Sequence, residues 1–411
     1  LAVQLADHAV CIGPARSADS YLRADIVVQA AKALRADAIH PGYGFLSENA
    51  AFARLCEREG IIFIGPSGDV IATMGDKASA RAMATAAGVP VTPGSSGTVA
   101  SAAAAVHVAA ALGYPVILKA VAGGGGRGMR IVEAEHDLGA HFDAAVREAK
   151  AAFGDGAMYM EKYLTGIRHV EIQILSDGET VLHLGERDCS SQRRNQKLVE
   201  ESPSPSLSPA MRAKMGQAAV RLCRHVGYRS AGTIECIVDP ASDLFYFMEM
   251  NTRVQVEHPV TECVTGIDIV KEQIRIARGE RLSIRQEDVR LAGHSIECRI
   301  NAEDPERGFA PSPGTLGEVR FPGGPGVRVD SHIYSGYVVP PYYDSLIAKL
   351  VTWGRDREEA LARMQRALSE LRIEGVKTSA VFLARLLATE TFKRGEVHTR
   401  FVERFIQDSS Q

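Results

Sequence analysis

The stretch Glu249-Met-Asn-Thr-Arg-Val-Gln-Val-Glu257-His-Pro259 decides the fold, because it is too polar for an ordinary buried strand. Residues 244–248, which precede it, are strongly β-prone. Alternate side chains of an extended chain share a face. One face is therefore expected to carry the polar residues Glu249, Asn251, Arg253, Gln255 and Glu257. The opposite face is expected to carry the apolar residues Met250, Val254 and Val256.

A second strand is predicted just before this stretch, at Gly232-Thr-Ile-Glu235-Cys-Ile-Val238, and a short polar connection makes the two a hairpin. Pairing about Ala241 places Glu235 opposite Phe247 and diagonal to Glu249, with roughly 7–8 Å between the diagonal Cα atoms. Two carboxylates and the Asn251 amide oxygen on one face favour a hard cation between them, and Mg²⁺ takes such oxygen ligands. The alternative is a solvated polar face with an internal Glu–Arg pair.

Length and composition limit the class of protein. The 411 residues can form about two to four domains with a large core. A net charge of −3 gives no reason to expect nucleic acid or an anionic membrane as a partner. The seven scattered cysteines form no Cys-x-x-Cys motif, which predicts a reducing, cytoplasmic location. No run approaches about 18 apolar residues, so no membrane span is expected.

Three segments differ in pattern along the chain. Residues 1–91 alternate short strands, such as Val10-Cys-Ile12, with helices, one of them capped by Ser47, which predicts a parallel α/β unit. Residues 92–164 predict a small α+β unit. Residues 165–411 predict paired strands, a helix beginning at Ser208 and Pro209, and a turn-rich C-terminal part. The polar run 186–197 is as consistent with a solvated loop as with a site.

A glycine-rich loop, Gly123-Gly-Gly-Gly-Arg-Gly128, closely follows Lys119. It formally matches Gly-x-Gly-x-x-Gly, but that dinucleotide fingerprint must open a helix. Met129-Arg-Ile-Val predicts a second strand instead. A glycine loop between antiparallel strands can fold over a polyphosphate, and Lys119 adds a positive charge for the phosphate oxygens. A merely flexible hairpin tip is the alternative.

Taken together, these motifs resemble the biotin carboxylase component of biotin-dependent carboxylases, an ATP-grasp family. The resemblance runs from Leu5 to about Arg404 and rests on five long motifs. Besides the opening stretch they are His40-Pro-Gly-Tyr-Gly-Phe-Leu-Ser-Glu-Asn49, Lys119-Ala-Val-Ala-Gly-Gly-Gly-Gly-Arg-Gly-Met129, Glu186-Arg-Asp-Cys-Ser190 and Cys298-Arg-Ile-Asn-Ala-Glu-Asp-Pro305. It implies an ATP-grasp fold, α/β and α+β, with a truncated N-terminal domain at 1–91. The implied mobile lid is 92–164, and the implied core with the C-terminal mixed β domain is 165–411.

The resemblance also implies roles for individual residues. The ATP contacts it implies are Lys77, Lys119, Gly124, Gly125, Gly126, Glu161, Lys162, Leu164, His169 and Gln192. The Mg²⁺ or Mn²⁺ ligands it implies are Glu235, Glu249 and Asn251. The bicarbonate contacts it implies are Lys197, Arg253, Gln255 and Val256, the first two also catalytic. Glu257 is the implied general base, and Arg328 is expected to stabilise the enolate of biotin.

The implied activity is ATP- and bicarbonate-dependent carboxylation of biotin through carboxyphosphate, the first half-reaction of an acyl-CoA type carboxylase. The implied substrate is biotin on a carrier protein, and a carboxyltransferase subunit and a second copy of this chain are the other implied partners. The final acceptor stays open among acetyl-CoA, propionyl-CoA, another acyl-CoA, pyruvate and urea. The alternatives are another ATP-grasp carboxylate ligase and a non-catalytic nucleotide-binding subunit.

The sequence departs from the family pattern in two places. Asn195 stands where the family often has histidine, which leaves a nucleotide contact there open. The family's opening strand and its Asn-Arg-Gly-Glu-Ile-Ala motif do not precede Leu1, so we expect an N-terminally incomplete piece of a longer polypeptide. A sheet lacking that strand would expose an unpaired edge. We therefore expect residues 1–411 alone to be poorly soluble and nearly inactive.

Overall fold

The computed structural model describes residues 1–122, 128–240 and 242–409. An eight-stranded antiparallel sheet, the central sheet, organises the mixed helix-and-sheet fold. Its strands follow the order Leu244–Asn251, Ser230–Asp239, Arg168–Ser176, Val181–Arg193, Gln196–Ser202, His294–Asn301, Leu346–Gly354 and Val327–Ser331. The first hairpin predicted from the sequence thus forms one edge of this sheet.

The first segment contains one parallel strand pair, Ala38–Ile39 with Ile62–Phe63. Its helices are Ala2–Leu5, Ser17–Asp19 (3-10), Ala24–Ala33, Ala50–Arg58, Gly68–Gly75 and Lys77–Ala86. The predicted strand at Val10-Cys-Ile12 is wrong, because these residues have no regular structure and Val10 is exposed. The predicted Ser47 cap is also wrong. The Asn49 carboxamide caps that helix by accepting from the Phe52 amide at 2.9 Å.

A three-stranded antiparallel sheet forms the second segment, with two helices packed on it. The strands are Met129–Val132, Val116–Ala120 and Met158–Lys162, and the helices are Ala102–Leu112 and Glu135–Phe153. Lys119 pairs with Met129, so the chain after the glycine loop is a strand, as predicted, and the dinucleotide fingerprint is excluded. Gly124, Gly125 and Gly126 lie outside the described residues.

The remaining helices cover the central sheet and complete the C-terminal part. They are Pro209–His225, His258–Thr265, Ile269–Ala277, Gln286–Asp288 (3-10), Pro305–Arg307 (3-10), Arg357–Glu370, Ala380–Leu387, Glu390–Lys393 and Phe401–Ser409. Three short strand pairs accompany them, Glu303–Asp304 with Ala310–Pro311, Gly314–Thr315 with Val338–Val339, and Val319–Arg320 with Arg372–Ile373. Within the described ranges, no helix has both the length and the apolar character needed to cross a membrane.

The polar run 186–197 is not a solvated loop. Residues 186–193 of this run belong to strand Val181–Arg193, and the side chains of Glu186 and Arg187 are fully buried there. A tight turn at Arg194 and Asn195, both with positive φ (48° and 64°), returns the chain into Gln196–Ser202. Asparagine tolerates this conformation well, which gives Asn195 a structural role in the turn.

The register of the opening hairpin differs from the prediction. Phe247 pairs with Cys236, and Glu249 lies directly opposite Glu235, because a bulge at Met248 shifts the pairing. At this point the strand edge is engaged by a neighbouring segment, since the Phe247 amide donates to the Pro90 carbonyl at 2.7 Å. The bulge therefore brings the two carboxylates closer together than the diagonal arrangement would.

Candidate active site

A cleft of about 1940 Å³ opens between the three-stranded sheet and the edge of the central sheet that carries the opening hairpin. Its lining includes Lys77, Lys119, Glu161, Lys162, Leu164, His169, Gln192, Lys197, Glu235, Glu249, Asn251, Arg253, Gln255, Val256 and Glu257. Every predicted site residue in the described ranges is thus in the lining, except Arg328. Their individual roles stay predictions.

The Lys197 ammonium is the charged centre of this cleft. Its Nζ lies 2.6 Å from Glu171 Oε2, 2.9 Å from Glu235 Oε1 and 2.5 Å from Glu257 Oε1. Burial alone would lower the pKa of Lys197, but the three carboxylates outweigh it and raise that pKa well above its usual range. Lys197 is therefore a permanent cation that ties two strands and the start of a helix together.

The predicted metal ligands lie on the hairpin edge of the cleft. Glu235 is held by donors, with Asn251 Nδ2 at 2.9 Å and Gln255 Nε2 at 2.7 Å from its Oε1. Glu249, directly opposite, is exposed to the cleft and has no hydrogen-bond donor within residues 1–122, 128–240 and 242–409. Partial desolvation and the charge of Glu235 raise the pKa of Glu249. A carboxylate pair facing one space suits a divalent cation.

The sequence predicted that the extended polar face would reach Glu257. In the structure the strand ends at Asn251. Beyond Asn251, the chain is held by hydrogen bonds to the loop 40–49. Glu48 accepts from the Thr252 amide at 3.1 Å and from Arg253 Nε at 2.8 Å. The guanidinium of Arg253 also donates to Asn251 Oδ1 at 2.9 Å. Glu48 therefore fixes Arg253, a function that the sequence did not reveal.

Charged side chains also line the wall opposite the hairpin. Glu161 is buried and accepts from Arg81 NH1 at 2.7 Å, and it also pairs with Lys119. Lys162 Nζ donates to the carbonyls of Gly113 at 3.0 Å and Tyr114 at 2.9 Å. These contacts place several cations along one wall of the cleft, the arrangement that a polyphosphate requires.

Glu257 lies at the start of helix His258–Thr265, which we call the cover helix, and its carboxylate is buried between two cations. Lys197 lies 2.5 Å from one oxygen, and Arg299 NH2 donates to the other at 2.9 Å. Burial would raise the pKa of Glu257, but Lys197, Arg299 and Arg187 outweigh it and lower that pKa. The carboxylate is therefore ionised at neutral pH.

Comparison with known proteins identifies the family. Models described as "Biotin carboxylase, N-terminal domain", "Carbamoyl-phosphate synthase L chain, ATP binding domain" and "Biotin carboxylase C-terminal domain" match residues 1–71, 76–285 and 297–404. Biotin carboxylase 1 of Bacillus subtilis is 55% identical over 407 residues, which cover 98% of this chain and 90% of the relative. The chain belongs to the biotin carboxylase family. It is an ATP-dependent carboxylating ligase with the ATP-grasp fold.

Solved structures of biotin carboxylases have the same fold. A biotin carboxylase complex from Campylobacter jejuni superposes with a TM-score of 0.93 at 50% identity, covering 98% of this chain and 90% of that one. The biotin carboxylase domain dimer of Hydrogenobacter thermophilus 2-oxoglutarate carboxylase, in complex with MgADP, ADP and bicarbonate, has a TM-score of 0.90 at 51% identity. It covers 98% of this chain and 88% of that chain.

Arg328 is the predicted site residue, among those in the described ranges, that the structure places outside the cleft lining. Its guanidinium donates to Asp330 at 2.8 and 2.9 Å and to Glu262 at 2.7 Å, and neither of these partners lines the cleft. Arg299, for which no role was predicted, lines the biotin carboxylase cleft and contacts Glu257. Its position in the motif Cys298-Arg-Ile-Asn was the available signal.

A second residue without a predicted role, Arg187, organises the floor of the site. It is fully buried and donates to Glu171 at 2.5 Å, Gln173 at 2.6 Å and Gln255 at 2.9 Å. The same Glu171 holds Lys197 from the other side. This pairing explains how a strand so polar is buried, because each charge has an opposite partner and further hydrogen bonds.

Proposed function

We propose that this chain catalyses the ATP- and bicarbonate-dependent carboxylation of biotin through carboxyphosphate. The observation that carries the proposal is the position of the Lys197 ammonium, 2.5 Å from the predicted base Glu257 and 2.9 Å from the predicted metal ligand Glu235. One cation thus lies beside both the predicted base, which must take the bicarbonate proton, and the predicted metal site, where negative charge develops on the phosphate. Membership in the biotin carboxylase family supports the proposal.

Bicarbonate would bind between Lys197 and Arg253, with Gln255 and the backbone at Val256 completing the pocket. All four line the cleft, and Lys349 Nζ fixes the Val256 carbonyl at 2.9 Å. Two cations and an amide suit a small planar anion, and Arg253 can donate two parallel hydrogen bonds. The bicarbonate in the Hydrogenobacter thermophilus structure supports this ligand for the fold.

Glu257 would then act as the general base. Its low pKa makes it a weak base before bicarbonate binds, because Lys197 and Arg299 stabilise the ionised form. A bound bicarbonate would share Lys197 and place a negative charge nearby, and both effects raise the pKa of Glu257 toward a useful value. The proton passes from bicarbonate to Glu257, and the bicarbonate oxygen attacks the γ-phosphorus of ATP, which releases ADP.

Glu235 and Glu249 would hold Mg²⁺ or Mn²⁺, with the amide oxygen of Asn251 as a further ligand. The fit rests on their opposed carboxylates, of which Glu249 has no donor within the described ranges. The bound metal supplies positive charge to the phosphate oxygens during phosphoryl transfer. Lys119 and His169 line the same cleft and would contact the phosphates.

In the second half of the reaction, carboxyphosphate breaks down to CO₂ and phosphate, and the phosphate takes the proton from the ureido nitrogen of biotin. The resulting enolate needs a fixed positive charge. We assign this role to Arg299 because its guanidinium lines the cleft beside Glu257, whereas Arg328 is enclosed by Asp330 and Glu262. An always-charged planar group suits an oxyanion better than lysine does.

We further propose that biotin arrives on a carrier protein and that a carboxyltransferase consumes the product. One comparison supports this. Residues of this chain match only 35% of the length of Rhizobium etli pyruvate carboxylase, so such a unit occurs within a longer carboxylase. The Hydrogenobacter thermophilus domain is a dimer, which supports a homodimer here.

The seven free cysteines support a reducing, cytoplasmic location.

Cleavage of ATP is expected to depend on bicarbonate and on Mg²⁺, because the base has no substrate proton to accept without bicarbonate. Phosphate release by the purified chain should be measured with and without bicarbonate, with Mg²⁺ or Mn²⁺, and with added free biotin, which should accelerate it. Equal rates with and without bicarbonate would contradict the proposed function. Stimulation by another carboxylate alone would indicate a different ATP-grasp ligase.

Glu249→Gln is expected to weaken Mg²⁺ binding by at least about 10- to 100-fold, because even the loss of a group that only supports a metal ligand has that effect. The metal-free protein should become slightly more stable, because like charges opposite each other on strands cost about 0.2–1 kcal/mol. The measurement is the Mg²⁺ dependence of ATP cleavage together with the melting temperature. Glu179→Gln, outside the cleft lining, is the control, and an unchanged Mg²⁺ requirement in Glu249→Gln would exclude Glu249 as a ligand.

A further inference from the structure

Two buried glutamates lie side by side beneath the catalytic cleft. Glu200 and Glu297 are direct partners on the neighbouring antiparallel strands Gln196–Ser202 and His294–Asn301. Directly paired residues point to the same face, with Cβ atoms about 4.5–5.5 Å apart. Both residues have zero exposure to solvent, and the cover helix packs against both strands. The two side chains therefore lie next to each other on one buried face of the sheet.

Three of their four carboxyl oxygens have no hydrogen-bond partner in the described ranges, namely Glu200 Oε2 and both oxygens of Glu297. The fourth, Glu200 Oε1, accepts from Arg299 Nε at 2.6 Å. A buried ionised carboxylate without donors is very costly, and two of them side by side also repel. A single proton between them removes one charge and supplies a donor for one of the orphaned oxygens.

Charged and titratable groups lie on every element packed around this pair. They are Arg299 and Cys298 on the strand of Glu297, Lys349 and Arg328 on the next two strands, Lys197 on the strand of Glu200, and Glu257, His258, Glu262 and Cys263 on or beside the cover helix. Arg299 is the one among them that touches both the pair and the cleft, because it also donates to Glu257 at 2.9 Å.

We propose that Glu200 and Glu297 share one proton at neutral pH and that this singly charged pair positions Arg299 against Glu257. A single negative charge on the pair balances the charge of Glu257 on the other side of the guanidinium. Loss of the shared proton would add a second charge beneath Arg299 and draw it away from the cleft. The positioning half of this proposal rests on the proposed function, whereas the shared proton does not.

The direction of the pKa values agrees with this geometry. Burial, opposed by Lys349 and reinforced by Glu200, raises the pKa of Glu297 well above its usual range. Burial also raises the pKa of Glu200 to about 7, although Arg299 opposes the shift. Both directions favour a proton on the pair, and the hydrogen bond from Arg299 to Glu200 favours Glu297 as the residue that holds it.

The shared proton can be tested without any assay of activity. The infrared spectrum at neutral pH should contain the C=O stretch of a protonated carboxylic acid, and Glu297→Gln should remove it. Folding takes up this proton, because Glu297 is ionised in the unfolded chain above about pH 4.3. The stability of the parent should thus fall, relative to Glu297→Gln, as the pH rises from 5 to 8, so the melting temperature of the variant should exceed the parent's by more at pH 8.

Glu201→Gln is the matched control, because Glu201 is the next residue on the same strand and points to the opposite face. There it is ionised and paired with His294 at 2.8 Å and Arg357 at 2.6 Å. Its replacement should lower the melting temperature and leave the infrared band in place. Absence of the infrared band in the parent would overturn the shared proton. A difference in melting temperature between the parent and Glu297→Gln that does not change with pH would overturn it as well.

The positioning of Arg299 is tested with Glu200→Gln, which removes its second carboxylate anchor. Carboxybiotin formation should fall about 10- to 100-fold, the usual effect of losing a supporting partner. The KM for ATP should be unchanged, and Glu200→Asp should restore part of the rate. If Glu201→Gln lowers carboxybiotin formation as much as Glu200→Gln does, the positioning role is wrong, while the infrared result still decides on the proton.

Discussion

Replacing Glu257 with glutamine is expected to lower the rate of biotin carboxylation by about 10²- to 10⁴-fold, the usual contribution of a general base. The amide has nearly the same size but cannot accept the proton of bicarbonate. The neighbouring cations keep other partners, since Lys197 retains Glu171 at 2.6 Å and Arg299 retains Glu200 at 2.6 Å. The variant should therefore fold and bind ATP with little change in affinity.

The measurement is carboxybiotin formation together with nucleotide affinity on the same preparation. Glu272→Gln is a suitable control, because Glu272 is also buried and paired, with Arg275 NH1 at 2.7 Å, but does not line the cleft. The control should retain the parent's rate. A Glu257→Gln enzyme that forms carboxybiotin within a few fold of the parent would rule out Glu257 as the base.

Arg299→Gln is expected to reduce carboxybiotin formation by about 10²- to 10³-fold, comparable to the removal of a preorganised group that stabilises an oxyanion. Bicarbonate-dependent ATP cleavage should be less affected, because the enolate forms only after carboxyphosphate has broken down. The two rates, measured in parallel, separate the steps. The expected split follows from the position of Arg299 in the cleft, 2.9 Å from Glu257.

Arg328→Gln serves as the matched comparison, since it removes an arginine from a neighbouring part of the same sheet. Its partners Asp330 and Glu262 lie away from the cleft, so its loss should affect stability more than carboxybiotin formation. If Arg328→Gln abolishes carboxybiotin formation and Arg299→Gln does not, our assignment of this role to Arg299 is wrong and the expectation from the sequence holds.

The sequence located the site well where alternation alone determines which way side chains point. Glu235, Glu249 and Asn251 were expected on one face, and the structure places them together at the cleft. The bulge at Met248 could not be foreseen, and beside it Phe247 bonds to Pro90, a residue from a distant part of the chain. Composition alone does not record such contacts.

The choice between the two arginines shows the same limit. Arg299 pairs with Lys349 across the sheet, whereas Arg328 pairs with Val351, two residues further along the same strand. Long connections separate these strands, so their relative register is not encoded by any local pattern. Likewise, the charged side chains of Glu186 and Arg187 predict exposure, yet both are buried. Their burial is explained by their partners, Arg212 for Glu186 and Glu171 for Arg187.

The contact between Glu48 and Arg253 has a consequence for engineering this enzyme. The loop that supplies Glu48 belongs to the first segment of the chain, while the arginine that it fixes belongs to the proposed bicarbonate pocket. The first segment is therefore not an interchangeable module. A chimera that takes residues 1–91 from a relative keeps the anchor of Arg253 only if the donor presents a carboxylate at the same point of that loop.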